Sequence, residues 1–472
     1  MLFNSLTFVV FFAVVLALHR LPLPWRVKKL NLLVASYLFY AAWNPPFVIL
    51  LWISTMVDWW AARAIARSES TARRRALLLV SLGTNLGLLG YFKYGDFLLR
   101  NFAELAATGG WNYVPPAWDI VLPVGISFYT FQTMAYTLDV YLKRAPPAKS
   151  LLDFSLFVTF FPQLVAGPIV RPTDLIPQFA HPRTATPRQL GWGLLLITLG
   201  LFQKIVVADG LLAPVSDRVF GAAQALPALD AWMGTLAFSG QIFSDFAGYT
   251  TCAIGVALML GFSLPDNFRY PYAAIGFSDF WRRWHISLSS WLRDYLYIPL
   301  GGNQRGAGRT YVNLMLTMLL GGLWHGAAWT FVVWGGLHGL YLAAERWLRP
   351  RLGHLALWRS IGGKVFLALL TYFLVNITWV FFRAQDFATA RRMLASMLGF
   401  AGGKPLLTTW QLGSAATVVV LMLAVHWHMR HRMLHEVVER LPAAVVGLAW
   451  GAMLWAILAT QGGGNAFIYF QF

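Results

Sequence analysis

The sequence predicts an all-α, polytopic integral membrane protein. Hydrophobic residues make up 58% of the 472 residues and charged residues 12%, whereas a soluble domain usually carries about 25% charged residues. Apolar segments of about 20 residues, the length of a membrane-crossing helix, recur along the whole chain. They are continuously apolar rather than alternating, which argues against a transmembrane β-barrel. We expect about 11 to 13 membrane helices, including re-entrant segments, in a single membrane-embedded domain over residues 1–472.

The distribution of charge predicts the orientation of the chain. The net charge is +18, from 37 basic and 19 acidic residues. Basic residues cluster in short loops near residues 20–29, 62–75, 143–149 and 430–440. The positive-inside rule explains such clusters without a nucleic-acid partner and places these loops in the cytoplasm, against lipid headgroups. We therefore expect a multi-pass protein of the bacterial inner membrane with both termini in the periplasm.

The apolar segments have recognisable ends. In chain order they are residues 6–18, 30–43, 47–60, 76–92, 120–142, 151–165, 190–207, 232–260, 365–382, 410–427 and 443–458. Segment 151–165 contains Pro162 and Gln163 and runs into Ala166-Gly167-Pro168. This composition predicts a broken or re-entrant segment, whose freed backbone groups must be satisfied by other parts of the protein.

The most informative polar residue is His325, in an apolar stretch with no Lys, Arg, Asp or Glu from residue 310 to residue 344. An ionisable side chain at bilayer depth is costly and tends to persist where it lines a cavity or takes part in chemistry. A lone buried histidine can act as a general base on a hydroxyl group. The structural alternative is a neutral imidazole packed between helices and hydrogen-bonded to a carbonyl.

Residues 279–299 carry a second histidine, His285. As one helix, this segment would have an aromatic stripe beside a polar stripe and would lie at the membrane surface. The aromatic stripe comprises Trp281, Trp284, Leu288, Trp291 and Tyr295, and the polar stripe Arg282, His285, Ser289 and Arg293. Lipid anchoring explains the arginines well but explains His285 less well.

Several kinds of catalytic site have no support in the sequence. Cys252 is the single cysteine, so neither an internal disulfide nor a cysteine-based metal site is possible. His325 and His338 have no carboxylate nearby in sequence, and no H-E-x-x-H motif occurs, so we predict no metal. No G-x-S-x-G motif supports Ser-His-Asp chemistry.

A series of ordered motifs covers nearly the whole chain. They lie at residues 89–94, 122–129, 160–171, 243–249, 280–303, 321–327, 379–384 and 467–470. In these motifs the chain resembles the membrane-bound O-acyltransferases, and within them the bacterial branch of alginate O-acetylation and teichoic acid D-alanylation. The alginate type is the closer likeness, through the two long central motifs and the motif at residues 467–470.

The resemblance implies a funnel-shaped helical fold with a central tunnel and a catalytic core at roughly residues 120–345. It implies that His325 is the catalytic histidine and His285 the second active-site histidine. It also implies acetyl-CoA as a cytoplasmic acyl-donor substrate, no tightly bound cofactor, and a periplasmic acetyl-accepting protein or polysaccharide as partner. The polymer itself is not indicated by any motif.

We therefore predict a membrane O-acyltransferase that moves an acetyl group toward an extracytoplasmic polysaccharide. Trp324 and Asp245 are predicted to line the cavity, although Asp245 could equally join two helices. Arg282 and Arg283 are predicted to contact donor phosphates, with lipid phosphates as the alternative. The alternatives in function are D-alanyl or other acyl transfer to a cell-wall polymer, a glycan or lipid transporter, and a non-catalytic scaffold of an export complex. A transporter usually shows repeat symmetry, which this sequence lacks.

Overall fold

The computed structural model describes residues 1, 3–116 and 120–460. The motif at residues 467–470, which contributed to the resemblance, lies outside these residues. Within the described ranges the regular structure consists of α-, 3₁₀- and π-helices, without a β-strand. The all-α prediction is therefore confirmed.

The described part of the chain contains a long series of α-helices, several of them interrupted. The first ten are α1 (Leu6–Arg20), α2 (Trp25–Ala41), α3 (Val48–Arg67), α4 (Thr71–Leu89), α5 (Gly95–Thr108), α6 (Ile126–Tyr141), α7 (Leu151–Thr159), α8 (Phe161–Leu164), α9 (Pro172–Leu175) and α10 (Pro187–Leu201). They are followed by α11 (Ala213–Phe220), α12 (Ala228–Met259), α13 (Phe277–Trp281), α14 (Ile286–Leu292), α15 (Ala307–His325), α16 (Trp329–Leu352), α17 (Ile361–Arg383), α18 (Phe387–Met397), α19 (Thr409–Met429), α20 (Leu434–Val438) and α21 (Ala443–Thr460). Three π-helical segments interrupt the series, Gly90–Tyr94, Phe202–Leu212 and Arg293–Tyr297.

Seven helical segments among the described residues are long and apolar enough to cross a membrane. They are Pro45–Arg67, Thr71–Thr108, Pro187–Phe220, Ala228–Met259, Ile361–Arg383, Thr409–Met429 and Ala443–Thr460. Helix α21 exposes large apolar side chains, such as Leu448 at 76% and Trp455 at 72%, a surface that suits lipid rather than water. The polytopic membrane architecture is thus confirmed. The count of about 11 to 13 stays a prediction, because shorter apolar helices such as α1, with 15 residues, are not among these seven.

The chain forms two compact units. Unit 1 comprises Met1–Leu194 and Ala253–Pro265, and unit 2 comprises Leu195–Cys252 and Asp266–Phe472. Each unit has its own core of buried apolar side chains. That residues 1–472 act as a single domain stays a prediction.

In unit 1, helices α3, α4 and α6 are joined by a buried polar network. The Asp58 carboxylate accepts hydrogen bonds from Ser81 Oγ at 2.5 Å and Asn85 Nδ2 at 2.8 Å. Asn85 Oδ1 in turn accepts from Ser54 Oγ at 2.6 Å and Thr133 Oγ1 at 3.1 Å. Buried polar groups are stable when such bonds satisfy them, so this network fixes how the three helices pack.

The break predicted in segment 151–165 is confirmed, also in unit 1. Helix α7 ends at Thr159 and α8 begins at Phe161. The Phe161 N–H donates to Ser36 Oγ of α2 at 3.1 Å, and Gln163 Nε2 donates to the Phe157 carbonyl at 2.9 Å. Side chains of the protein thus satisfy backbone groups that the break releases.

In unit 2, helices α15 and α16 form a pair whose backbones approach closely. A Cβ at Gly322 would lie 2.3 Å from the Phe331 carbonyl oxygen, and a Cβ at Gly335 would lie 2.2 Å from that of Met318. Only glycine fits at such distances. The apolar stretch around His325 is therefore two helices that separate at Gly326, where φ is −158° and the helical conformation ends.

A Gly335→Ala substitution is expected to lower the stability of the protein by about 1–3 kcal/mol, because its new methyl group meets rigid backbone. The matched control is Gly336→Ala, since a Cβ there meets only Leu319 Cδ2, at 3.5 Å. Thermal unfolding of both variants in detergent, followed by tryptophan fluorescence, would measure the difference. Equal melting temperatures would show that the two helices can separate without cost.

Candidate functional site

His325 is the last residue of α15 and is 4% exposed. The C-terminal end of a helix carries partial negative charge, which stabilises a positively charged group placed there. The imidazole of His325 lies at this end of α15. Its ring contacts Trp334 and Phe382, with ring-centre distances of 5.0 Å and 5.3 Å. The His325 imidazole thus lies among aromatic side chains and is almost fully buried.

His285 interrupts the segment that the sequence predicted as one helix, and that prediction was wrong. Helix α13 ends at Trp281, and α14 begins at Ile286. Between them, His285 has φ 44° and ψ 54°, in the left-handed region. A non-glycine residue pays about 1–2 kcal/mol for this conformation, so it persists where the surroundings hold it.

The aromatic side chains of this segment are also placed differently from the prediction of a helix at the membrane surface. Trp284 is 1% exposed and Trp291 is 7% exposed. Trp284 packs on Phe268 and Trp379, with ring-centre distances of 5.1 Å to each. The break between α13 and α14 interrupts the predicted stripe, and Trp284 lies in the buried core of unit 2.

Two loops meet at His285. Its Nδ1 lies 3.2 Å from Asn267 Oδ1, and the main-chain carbonyl of Asn267 accepts the Ile286 N–H at 2.9 Å. Asn267 Oδ1 also accepts from the Ser287 N–H at 3.2 Å and from Ser287 Oγ at 2.9 Å. Asn267, buried at 1% exposure, therefore caps the start of α14 and contacts the imidazole at once.

The structure brings His285, Trp324 and His325 together. The ring centres of His285 and His325 are 6.3 Å apart. Trp324 lies 5.9 Å from His285 and 5.0 Å from His325, also between ring centres. Phe246 of α12 also contacts the ring of His285, with a ring-centre distance of 4.7 Å. Three residues that the sequence predicted for the site are therefore neighbours in one buried cluster.

His285 is uncharged in this environment. Its side chain is 0% exposed, and burial lowers the pKa of His285 to about 3, because a charged imidazole is poorly solvated away from water. At neutral pH the ring therefore has one nitrogen that donates a hydrogen bond and one that accepts.

Asp245 takes part in a buried ion cluster in unit 2. Its Oδ1 lies 2.6 Å from Lys204 Nζ, which also contacts Asp209 Oδ1 at 2.9 Å. Lys204 and Asp209 belong to the π-helical segment Phe202–Leu212, whereas Asp245 belongs to α12. Of the two roles predicted for Asp245, the structure thus supports the joining of two helices. The next residue in α12, Phe246, contacts the ring of His285.

A Lys204→Met substitution is expected to destabilise the protein by about 3–5 kcal/mol, the usual cost of breaking a buried ion pair. The variant would leave two buried carboxylates with a net charge of −2, whereas the native cluster of one lysine and two carboxylates has a net charge of −1. The double variant Lys204→Met/Asp245→Asn restores that net charge and should recover part of the folded yield. Monodisperse yield from detergent-solubilised membranes measures both. A double variant no better than the single one would mean that Asp245 carries no charge.

Arg282 and Arg283 differ in their surroundings. Arg283 Nε lies 2.8 Å from Asp279 Oδ1, and its NH1 donates to the main-chain carbonyl of Arg430 at 3.0 Å. Arg430 NH2 contacts the same carboxylate at 2.7 Å. Arg282 is exposed. Arg283 therefore helps to hold α13 in place, and Arg282 is the arginine with more access to a ligand.

The described residues contain no group of three or more His, Cys, Asp and Glu side chains that could hold a metal ion. His338, the other histidine of the α15–α16 pair, is 0% exposed, and its Nε2 lies 3.0 Å from Thr378 Oγ1 of α17. This contact joins α16 to α17. The sequence prediction missed Lys204 and Asp209, although a lone lysine within an apolar segment was a visible signal.

Comparisons with known proteins show which family the chain is similar to. The membrane-bound O-acyltransferase family profile matches residues 143–382, which include both histidines. The chain is 42% identical to a Pseudomonas aeruginosa protein named "Probable alginate O-acetylase AlgI", over 87% of this chain and 76% of the relative. It is 39% identical to the peptidoglycan O-acetyltransferase of Helicobacter pylori, over 79% and 74%.

A more distant relative is the teichoic acid D-alanyltransferase of Bacillus subtilis, which is 29% identical over 49% of this chain and 62% of its own length. The relatives of higher identity cover most of the chain and carry names of O-acetyl transfer. These comparisons and the helical membrane architecture agree with the family that the motifs suggested. The chain therefore belongs to the membrane-bound O-acyltransferase family and is an O-acyltransferase.

Proposed function

We propose that this O-acyltransferase moves an acetyl group from cytoplasmic acetyl-CoA toward an extracytoplasmic polysaccharide, directly or through a periplasmic acceptor protein. The observation that carries the proposal is the buried cluster of His285, Trp324 and His325, in a chain similar to proteins named for alginate and peptidoglycan O-acetylation. These residues supply a base, a second imidazole and an apolar wall. Acyl transfer to a hydroxyl needs a base beside a site that excludes competing water.

The proposed chemistry assigns the proton to His325. Its imidazole takes the proton of the acceptor hydroxyl as the oxygen attacks the thioester carbonyl. The new C–O bond forms, the C–S bond breaks, and the departing thiolate receives the proton from the imidazolium. The C-terminal end of α15 stabilises that imidazolium during the step. Protons and charge balance without a metal or another cofactor.

His285 and Trp324 complete the proposed active site. Because His285 is neutral, its accepting nitrogen can orient the acceptor hydroxyl or the proton on His325, at the 6.3 Å separation between the two rings. Trp324 contacts both rings and would hold them in place beside a reacting group. Arg282 is the proposed contact for the phosphates of the donor, and Arg283 supports it by fixing α13.

The proposed donor can be tested with purified protein in proteoliposomes and acetyl-CoA that carries a radioactive acetyl group. Oligomannuronate and peptidoglycan fragments serve as acceptors, and D-alanine thioesters serve as the competing donor class. We expect acetyl transfer with release of one free thiol per acetyl group. Transfer from the D-alanyl thioester, with none from acetyl-CoA, would favour the teichoic acid type of reaction instead.

The proposed orientation places both termini in the periplasm and the loop between α3 and α4 in the cytoplasm. Cys252 is buried, so a cysteine introduced at Glu69 can be labelled against a low background. We expect Glu69→Cys to resist a membrane-impermeant thiol reagent in intact spheroplasts and to react after permeabilisation. The control is Asn112→Cys, at an exposed position on the opposite side of the predicted topology. Labelling of Glu69→Cys from outside would reverse the orientation.

A further inference from the structure

Three donors converge on one oxygen of Asn267. The Ser287 N–H approaches Oδ1 at 3.2 Å, Ser287 Oγ at 2.9 Å and His285 Nδ1 at 3.2 Å. A backbone N–H can only donate, so the atom of Asn267 that faces it must be the carbonyl oxygen and not the amide nitrogen. That oxygen accepts and does not donate. His285 Nδ1 must therefore carry a hydrogen.

This hydrogen determines the chemistry of the rest of the ring. In a neutral imidazole one nitrogen carries the proton and the other carries the lone pair. With Nδ1 protonated, the lone pair of His285 is on Nε2, the nitrogen on the far side of the ring from Asn267. Burial keeps the ring neutral, since it lowers the pKa of His285 to about 3.

The backbone points to the same residue. His285 occupies the left-handed region at φ 44°, and the next two residues give their N–H groups to Asn267, Ile286 to its main-chain carbonyl at 2.9 Å and Ser287 to its side chain. His285 itself provides no side-chain cap for α14. Asn267 thus holds the peptide that follows the strained residue, and with it the direction in which the imidazole points.

We propose that Asn267 is a positioning residue, which fixes the Nδ1–H tautomer of His285 and so presents the Nε2 lone pair to the reacting groups. The proposal deepens the function proposed above and rests on it for its kinetic consequences. In this arrangement Asn267 has the role of an orienting partner of a catalytic imidazole, but it is neutral. A neutral partner fixes the tautomer without stabilising an imidazolium, so His285 stays an acceptor of hydrogen bonds throughout the reaction.

The ring of His285 contacts three uncharged aromatic rings and one further imidazole in the described chain. They are Phe246 of α12, Phe268, and Trp324 and His325 of α15. His325 is a titratable residue among these contacts. A change caused by His285 is therefore measured as the difference between the pH profile of a variant and that of the wild type.

The kinetic test compares Asn267→Asp, Asn267→Leu and Ser287→Ala. Asn267→Leu removes the acceptor, and its kcat should fall about 10–100-fold, as for the outer partners that orient metal-bound histidines, with little change in KM for acetyl-CoA. Asn267→Asp keeps the acceptor but adds a negative charge that favours the imidazolium. Its transfer should be near wild type at high pH and fall through an additional acid limb. Ser287→Ala, the control, removes another donor to the same oxygen and should keep the wild-type profile.

A spectroscopic test separates this proposal from the proposed function. Protein labelled with ¹⁵N in its histidines gives a His285 signal by difference against His285→Asn. We expect the Nδ1–H tautomer in the wild type and in Ser287→Ala. If the wild type shows the Nε2–H tautomer, or if Asn267→Asp has the wild-type pH profile, the positioning role is wrong. If the wild type shows the Nδ1–H tautomer but transfers no acetyl group, the proposed function is wrong and the positioning of the ring stands.

Discussion

The His325→Gln variant is expected to lose acyl transfer almost completely while it remains folded and inserted. Glutamine keeps hydrogen-bonding capacity at the end of α15 but cannot take up a proton near neutral pH. Loss of a general base typically costs about 10²–10⁴-fold in rate, so the variant should approach a null. Radioactive acetyl transfer by purified protein, at matched amounts and with the melting temperature recorded, is the measurement.

His338→Gln is the matched control for this prediction. His338 lies in the adjacent helix α16, is fully buried and contacts Thr378 Oγ1 at 3.0 Å. If burial alone made a histidine important, both variants would lose stability and activity together. We expect His338→Gln to lower the melting temperature through the lost contact with α17 and to keep most of its transfer activity. A His325→Gln protein with near wild-type transfer would exclude His325 as the base.

The sequence allowed the membrane architecture and the two histidines to be predicted, for different reasons. Apolar length and charge asymmetry are local properties, so the helical membrane fold could be derived from them. His325 could be identified because its apolar stretch, residues 310–344, contains no Lys, Arg, Asp or Glu. His285 came from an unusual polar position together with the resemblance. The two rings lie 6.3 Å apart between ring centres, and this proximity depends on the tertiary fold. The resemblance implied that both histidines belong to one site, whereas helical periodicity gave no information on their distance.

The parts that could not be predicted depend on contacts between distant residues. Helical periodicity over residues 279–299 gave no sign of the left-handed residue at His285, because partners from another loop, Asn267 above all, hold that conformation. The pairing of Lys204 with Asp245 joins segments that are far apart in the sequence. Close approach of α15 and α16 could have been suspected from their glycines, but glycine pairs alone do not identify the partner helix.

The second large effect is expected for His285→Asn. Asparagine tolerates the left-handed backbone better than most residues, so the turn between α13 and α14 should persist while the imidazole is lost. If His285 Nε2 accepts a hydrogen bond in the reaction, kcat should fall about 10²-fold, the lower end of the range for loss of an acid–base group. KM for acetyl-CoA should change little, since the nearby exposed arginine, Arg282, is the proposed donor contact.

The control for His285 is Trp291→Phe, in helix α14, which begins directly after His285. Trp291 is 7% exposed and its ring packs on Tyr295 with a ring-centre distance of 5.1 Å, so its truncation tests the packing of that helix rather than the chemistry of the cluster. We expect a lower melting temperature with a smaller loss of transfer than for His285→Asn.

The decisive quantity for both variants is kcat measured on folded protein at several pH values. Because burial keeps the pKa of His285 at about 3, its removal should lower the whole pH profile between pH 5 and pH 9 without shifting it. Equal, small losses in both variants would leave His285 as a packing residue, and a shifted acid limb would mean that the ring titrates during turnover.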